Sequence, residues 1–250
     1  MTPRVVVDVG NSRIKWGLCQ ADRVSAMTSL PLDDRGAWDQ QASAWGLSGP
    51  CVWVVAGVHP KRRDEFGDWI RERHQEVVVL DDWRTLGVEV HVAHPAKVGI
   101  DRLLNAAALR CRTPPSLPAV IAGVGSAVTV DWVDATGAFR GGAIFPGMRL
   151  MAEALHAYTA LLPLILVPTE VPPFPGTSTP AAMSAGIYWA TVGGIAALWQ
   201  QLRATNKSQT WHLFLTGGDA PLIARALPGE PVLWPEMTLE GMRLAAGNIG

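Results

Sequence analysis

The chain has 250 residues, 48% apolar and 17% charged, with a formal net charge of -1. That length suits one large domain or two of about 100–150 residues, and the apolar share supplies a core, which excludes a disordered chain. There is no long Lys/Arg run, which disfavours a nucleic-acid partner, and Cys19, Cys51 and Cys111 stand singly, without zinc-site spacing, as reduced thiols of a cytoplasmic protein do.

The opening residues run straight into a strand without a signal-peptide profile. No stretch approaches the ~20 uninterrupted apolar residues that a membrane span needs, so no membrane association is expected. Residues 5–9 are a β-branched run that reads as a buried strand. A turn at Asn11 and Ser12 and a second strand at 14–19 make a hairpin. Residues 52–58 read as a strand, 62–74 as a helix with Phe66, Trp69 and Ile70 on one face, 77–80 as a strand, and the Leu- and Ala-rich 100–110 as a helix. Segment 113–118, with three prolines, reads as a linker. After it the pattern restarts: a strand at 119–122, a Gly-bearing turn at 123–125, strands at 127–133 and 139–144, and a helix at 149–160. A Pro/Ser/Thr-rich loop at 168–179 leads to a long helix at 181–203. A strand at 211–216, a Gly217-Gly218 turn and helices at 220–226 and 236–248 complete the chain. Each half opens as strand, Gly turn, strand, which predicts two mixed α/β halves with a cleft between them. The sequence holds eleven tryptophans against two tyrosines, and those at 45, 53, 69, 83 and 199 sit among aliphatics, as core residues do.

Five segments carry possible chemistry. In the first, Asp8 and Val9 lead into Gly10, Asn11 and Ser12, then Arg13, Ile14 and Lys15. Glycine lets backbone N–H groups approach a phosphate, Ser12 and Lys15 add a hydroxyl and a cation, and Asp8 suits Mg²⁺ through water. An ordinary hairpin turn wants the same residues. The second, Gly125-Ser126 running to Asp131, repeats the pattern: a Gly–hydroxyl turn meets a strand carrying an acid. The third, Thr216-Gly217-Gly218-Asp219, lets backbone pass under a flat base, or is a plain strand-to-helix turn. In the fourth, Gly99-Ile100-Asp101-Arg102, Asp101 is either a first-turn acid or a general base beside Arg102. The fifth, from Gly141 to Gly147, indicates close backbone approach, to a ligand or to a neighbouring strand.

Taken together, DVGNSRIKWG, VGIDRLLNAAAL, GSAVTVD, GGAIFPGMRLMAEAL, STPAAMSAGI and LTGGD resemble the type III pantothenate kinases and their relatives, the Bvg accessory factors, over nearly the whole chain. The resemblance implies an α/β, actin-like ATPase fold of the acetate and sugar kinase/actin superfamily, with two ribonuclease-H-like halves. Residues 1–115 would carry the first phosphate loop and the GIDR segment, and 116–250 the second phosphate loop and a dimer helix. It further implies a cytoplasmic homodimer, with the substrate site completed near the dimer interface, that uses ATP and Mg²⁺ to convert pantothenate to 4′-phosphopantothenate, the first step of coenzyme A synthesis. By motif, Asp8, Val9, Gly10, Asn11, Ser12, Arg13, Ile14, Lys15 and Ser126 would bind ATP. Gly99, Ile100, Asp101, Arg102 and Thr179 would bind pantothenate, with Asp101 as the catalytic base. Asp8 and Asp131 are the candidate metal ligands. The family also uses a monovalent cation, K⁺ or NH₄⁺, held in part by an acid where this chain has Gly123. Val92 stands where a tyrosine is common, Ser178 where an Asn is, and Ser12 and Ser126 replace threonines. These departures leave a second expectation open, a non-catalytic or regulatory nucleotide-binding homologue. A kinase for another small hydroxylated substrate is a third.

Overall fold

The structure is a computed structural model that describes residues 2–109, 117–205 and 210–248. Cys111, Arg110, most of the expected 113–118 linker and the 115/116 boundary lie outside the described residues. In chain order the elements are β1 (Val5–Val9), β2 (Ile14–Cys19), β3 (Val24–Leu30), α1 (Arg35–Ala44), β4 (Val52–Gly57), α2 (Pro60–Arg71), β5 (Glu76–Leu80) and α3 (Ile100–Leu109). There follow β6 (Ala119–Val124), β7 (Ala127–Val133), β8 (Phe139–Pro146), α4 (Met148–Tyr158), α5 (Thr179–Thr205), β9 (His212–Thr216), α6 (Ala220–Ala224), β10 (Val232–Leu233) and α7 (Met237–Ala246).

The chain divides into two compact units, one of residues 1–115, 137–139 and 236–250, the other of 116–136 and 140–235. The first unit is built on a sheet of order β3-β2-β1-β4-β5. β1 pairs antiparallel with β2 and parallel with β4, which pairs parallel with β5. As the central strand, β1 has both faces covered, and its sequence VVVDV is nearly all apolar for that reason. Val5, Val7 and Val9 face a core made with Trp16, Trp53, Phe66, Trp69 and Trp38. The rings meet mostly edge-on, Trp16 and Trp53 at 5.1 Å and 90°, the arrangement that ring quadrupoles favour. Val6 and Asp8 point to the opposite face, where α7 contacts β1, β2 and β4, and α3 contacts β4. α2 starts at His59, whose Nδ1 accepts from the Arg62 N–H at 3.5 Å, with Pro60 as the first helical residue.

The second unit repeats the plan, with order β10-β9-β6-β7-β8. Here β6 is central, antiparallel to β7 and parallel to β9. Val120, Ala122, Val124, Val128 and Val130 form its core with residues of α4, α5 and α6. α5 has the length and apolar composition of a membrane-spanning helix. Its residues Ile187, Tyr188, Val192, Ile195 and Trp199 are instead buried in this core. The hairpin residues 137–139 and helix α7 group with the first unit. Phe139 donates its N–H to Glu89 O at 2.8 Å and accepts from His91 N–H at 2.9 Å. Among the described residues Cys19 and Cys51 are free thiols.

Candidate active site

In the first unit, the hairpin register puts Asp8 directly opposite Lys15, so acid and base are cross-strand neighbours on one face. The turn between them closes through Gly10 N–H donating to Arg13 O at 3.0 Å. It is braced from α2, where Arg62 Nη1 donates to Asn11 O at 2.9 Å. Asn11, Ser12 and Arg13 are exposed. Val9 and Ile14 bury their side chains in the core, so only their backbone can meet a ligand.

Asp101 sits in the first turn of α3, where its carboxylate accepts from its own N–H and from that of Arg102. It therefore satisfies two donors that a helix start leaves open. Gly99 lacks a side chain for a local reason: a Cβ there would stand 2.6 Å from Asp101 Oδ1. The Arg102 guanidinium lies 5.5 Å above the ring of Phe139, a residue whose place beside the GIDR segment nothing local in the sequence signals. Val92 is half-buried just ahead of this segment.

The two carboxylates share one electrostatic environment. Burial, then the negative charge of Asp101, raises the pKa of Asp8 to about 6, against the opposing pull of Lys15. Burial also raises Asp101, opposed by the Arg102 backbone and guanidinium and by Lys15. Asp8, Lys15 and Asp101 thus form one group with an anionic bias that a cation relieves. A half-buried acid beside an exposed turn fits Mg²⁺, which keeps much of its water shell.

In the second unit, three of the segments singled out in the sequence converge on the end of β6. Gly147 donates its N–H to Ser126 O at 3.1 Å, and Asp219 donates its N–H to Val124 O at 3.2 Å. Gly217 has φ +101° and lies against Val124, with no space for a side chain. The Gly125-Ser126 turn, the end of β8 and the start of α6 are thereby held against one another. Asp131 has no solvent exposure, and it abuts Gly142, where a Cβ would stand 2.5 Å from its Oδ1. Burial raises the pKa of Asp219.

Thr179 is the exposed first residue of α5. It follows Ser178, whose carbonyl accepts from Ala182 N–H at 2.8 Å and whose hydroxyl accepts from Ala181 N–H at 3.4 Å. Thr179 lines a cavity of about 1050 Å³ with Met151, Leu155, Met183 and Ile187. Gly123 is not in the turn expected at 123–125 but within β6, opposite Thr129. A side chain at 123 would begin 2.8 Å from Thr129 Oγ1. A larger residue at 123 would require the Thr129 hydroxyl to move, and glycine itself offers no carboxylate to a cation. Among the described residues no three His, Cys, Asp or Glu side chains gather as a metal cluster.

The structure thus brings Asp8, Lys15, Asp101 and Arg102 into one unit, and Ser126, Asp131 and Thr179 belong to the other. Shortening the ring beside Arg102 tests its placement. Should Arg102 meet a substrate, as its motif implies, Phe139→Leu is expected to raise KM for that substrate about 2- to 5-fold with kcat little changed; initial-rate kinetics check this.

The family model for type III pantothenate kinases matches residues 4–201. Proteins named type III pantothenate kinase include one from Alkalilimnicola ehrlichii, 32% identical over 98% of both chains, and one from Rubrobacter xylanophilus, 33% identical over 96% of both. A Campylobacter jejuni protein described as a putative Baf family transcriptional activator has the same fold, with TM-score 0.59, 17% identity and 97% of each chain covered. So does the ADPNP-bound activator of 2-hydroxyisocaproyl-CoA dehydratase from Clostridium difficile, with TM-score 0.54 and 13% identity over 98% of this chain and 93% of that one. These are two-lobed α/β proteins of the actin-like ATPase fold.

Proposed function

The chain belongs to the type III pantothenate kinase family, and we propose that it phosphorylates pantothenate with ATP to give 4′-phosphopantothenate and ADP, the entry to coenzyme A synthesis. The observation that carries this, beyond membership, is the grouping of Asp8, Lys15 and Asp101 in one electrostatic environment. In this reading Asp101 takes the proton of the pantothenate primary hydroxyl. The freed oxygen bonds to the γ-phosphorus of ATP, the bond to the β–γ bridging oxygen breaks, and ADP leaves. Phosphoryl transfer asks for positioning and charge neutralisation more than covalent chemistry. The turn from Gly10 to Arg13 offers backbone donors, and Lys15 offers its ammonium. Asp8 would hold Mg²⁺, and the ion would supply neutralising charge on the phosphates. By motif, Ser126 contacts ATP, Thr179 binds pantothenate and Arg102 orients it.

The working form in this reading is a cytoplasmic homodimer. Nine of the thirteen large apolar side chains exposed among the described residues lie between 144 and 189, with Leu161 and Leu166 above 90% exposed. Large exposed apolar side chains favour burial against a partner, and in this reading the partner is a second copy of the chain. Leu161→Arg with Leu166→Arg is expected to give a monomer by sedimentation and to abolish most turnover.

The decisive experiment is ADP release by purified protein with Mg-ATP, with and without pantothenate, with mass detection of phosphopantothenate. Pantothenate-dependent turnover supports the reading. ATP binding without turnover overturns it in favour of a regulatory homologue, the second reading that Gly123 keeps in view. Because Gly123 offers no carboxylate to a cation, rates in potassium and Tris buffers of equal ionic strength are expected to agree. Potassium activation would show that other groups build a cation site.

A further inference from the structure

α3 carries Asp101 in its first turn and Asn105 four residues later. Residues four apart share one helix face, about one 5.4 Å turn from each other. Asn105 is 5% exposed, and its Oδ1 accepts from Thr238 Oγ1 of α7 at 2.8 Å. One turn further along α7, Gly241 meets the backbone of Leu104. A methyl there would overlap the Leu104 carbonyl and stand 3.1 Å from its Cα. Two contacts one turn apart fix both how closely α3 approaches α7 and how it is rotated about its own axis.

The other side of α7 is tied to the sheet. Glu240 accepts from Val24 N–H at 2.7 Å and from Arg243 Nε at 2.8 Å, and Arg243 Nη1 donates to Ala21 O at 3.2 Å. Ala21 and Val24 belong to the connection and strand that follow β2, the strand carrying Lys15. α7 is therefore a template between the strands that bear Asp8 and Lys15 and the helix that bears Asp101. Apolar burial by Met237, Leu239, Met242 and Ala245 already holds α7 in place. A hydrogen bond between two buried side chains adds registry, because a buried polar pair tolerates few alternative arrangements.

We propose that Thr238 and Asn105, with the close approach at Gly241, are positioning residues for the reaction: they set the depth and rotation of α3 that place Asp101 beside Asp8 and Lys15. The inference rests on the reading of Asp101 as the base. Thr238→Val keeps the shape and removes the hydroxyl, and Thr238→Ser restores it. The valine variant is expected to lose about 10- to 100-fold in kcat, as sub-ångström misplacement of a catalytic group does, with KM for ATP unchanged. The serine variant is expected to recover most of the rate. In an Asp101→Asn background, Thr238→Val should cause no further loss, because both changes act through one group.

Full kcat in Thr238→Val, alongside an inactive Asp101→Asn, overturns the positioning role and leaves the base intact. An equal additional loss in the double variant also overturns it, since Thr238 would then act elsewhere. Full activity in Asp101→Asn removes the base and this inference with it. Should the valine variant fail to fold by circular dichroism, Thr238→Ala takes its place in the same comparisons.

Discussion

Asp101→Asn is expected to fold as the parent does and to lose about 10²- to 10⁴-fold in kcat, the range that removal of a general base costs. Asparagine has the same shape, and its amide oxygen can still accept the Arg102 N–H that the carboxylate now accepts. The helix start therefore keeps its cap, and the buried charge is gone. What is lost is a group that can take a proton. The pH profile of the parent enzyme adds a second check. A base works when ionised, and burial raises the pKa of Asp101. Turnover should therefore fall on acidification at a pH above the ordinary carboxylate range. Retention of full turnover in Asp101→Asn would exclude Asp101 as the base.

Asp8→Asn should separate stability from function. Asp8 has its pKa raised from 3.8 to about 6 in the folded protein, so the folded state disfavours its charged form. Above pH 6 Asp8 is ionised whether folded or not, and the cost to stability is full, on the order of 3 kcal/mol. As pH falls through 6 toward 3.8, the folded state takes up the proton first and the cost disappears. Asp8→Asn is thus expected to raise Tm at pH 8, by about 2–4 °C per kcal/mol for a chain of this size, and to give no gain near pH 4. The same variant should lose most activity if, as proposed, this carboxylate is the one that would hold Mg²⁺. Equal Tm values at pH 8 would mean that Lys15 balances the charge more fully than the burial of Asp8 penalises it.

Where an element announces itself locally, the sequence was enough. The β-branched run of β1 ends at Gly10, the apolar run of β2 follows, and α3 shows its Leu and Ala face, so all three were legible almost to the residue. β3 was not, because VSAMTSL is an edge strand with one face in solvent and no apolar alternation to read. α1 was missed because RGAWDQQASA buries only Trp38. β10 is two residues long and exposed. The acid and lysine of the first motif were legible, and their cross-strand pairing follows once the hairpin is recognised. The meeting of Gly125-Ser126, Gly147 and Gly217 was not, nor was Phe139 beside Arg102, because each joins distant segments and leaves no periodic trace. Gly142, left open between a ligand and a neighbouring strand, lies against the strand, at Val130 and Asp131 of β7.

The return of α7 has a consequence for the order in which the protein can be made. Val24 and Glu240, joined by a hydrogen bond, are 216 residues apart in sequence. The first unit therefore stays without one of its helices until residues 237–246 have been made, while the central residues of the second unit are already available to fold. Long-range closure of this kind is slow and leaves apolar surface uncovered meanwhile. A chain stalled or clipped shortly before residue 237 would keep every motif from Asp8 to Asp219 and still lack the helix that covers α3.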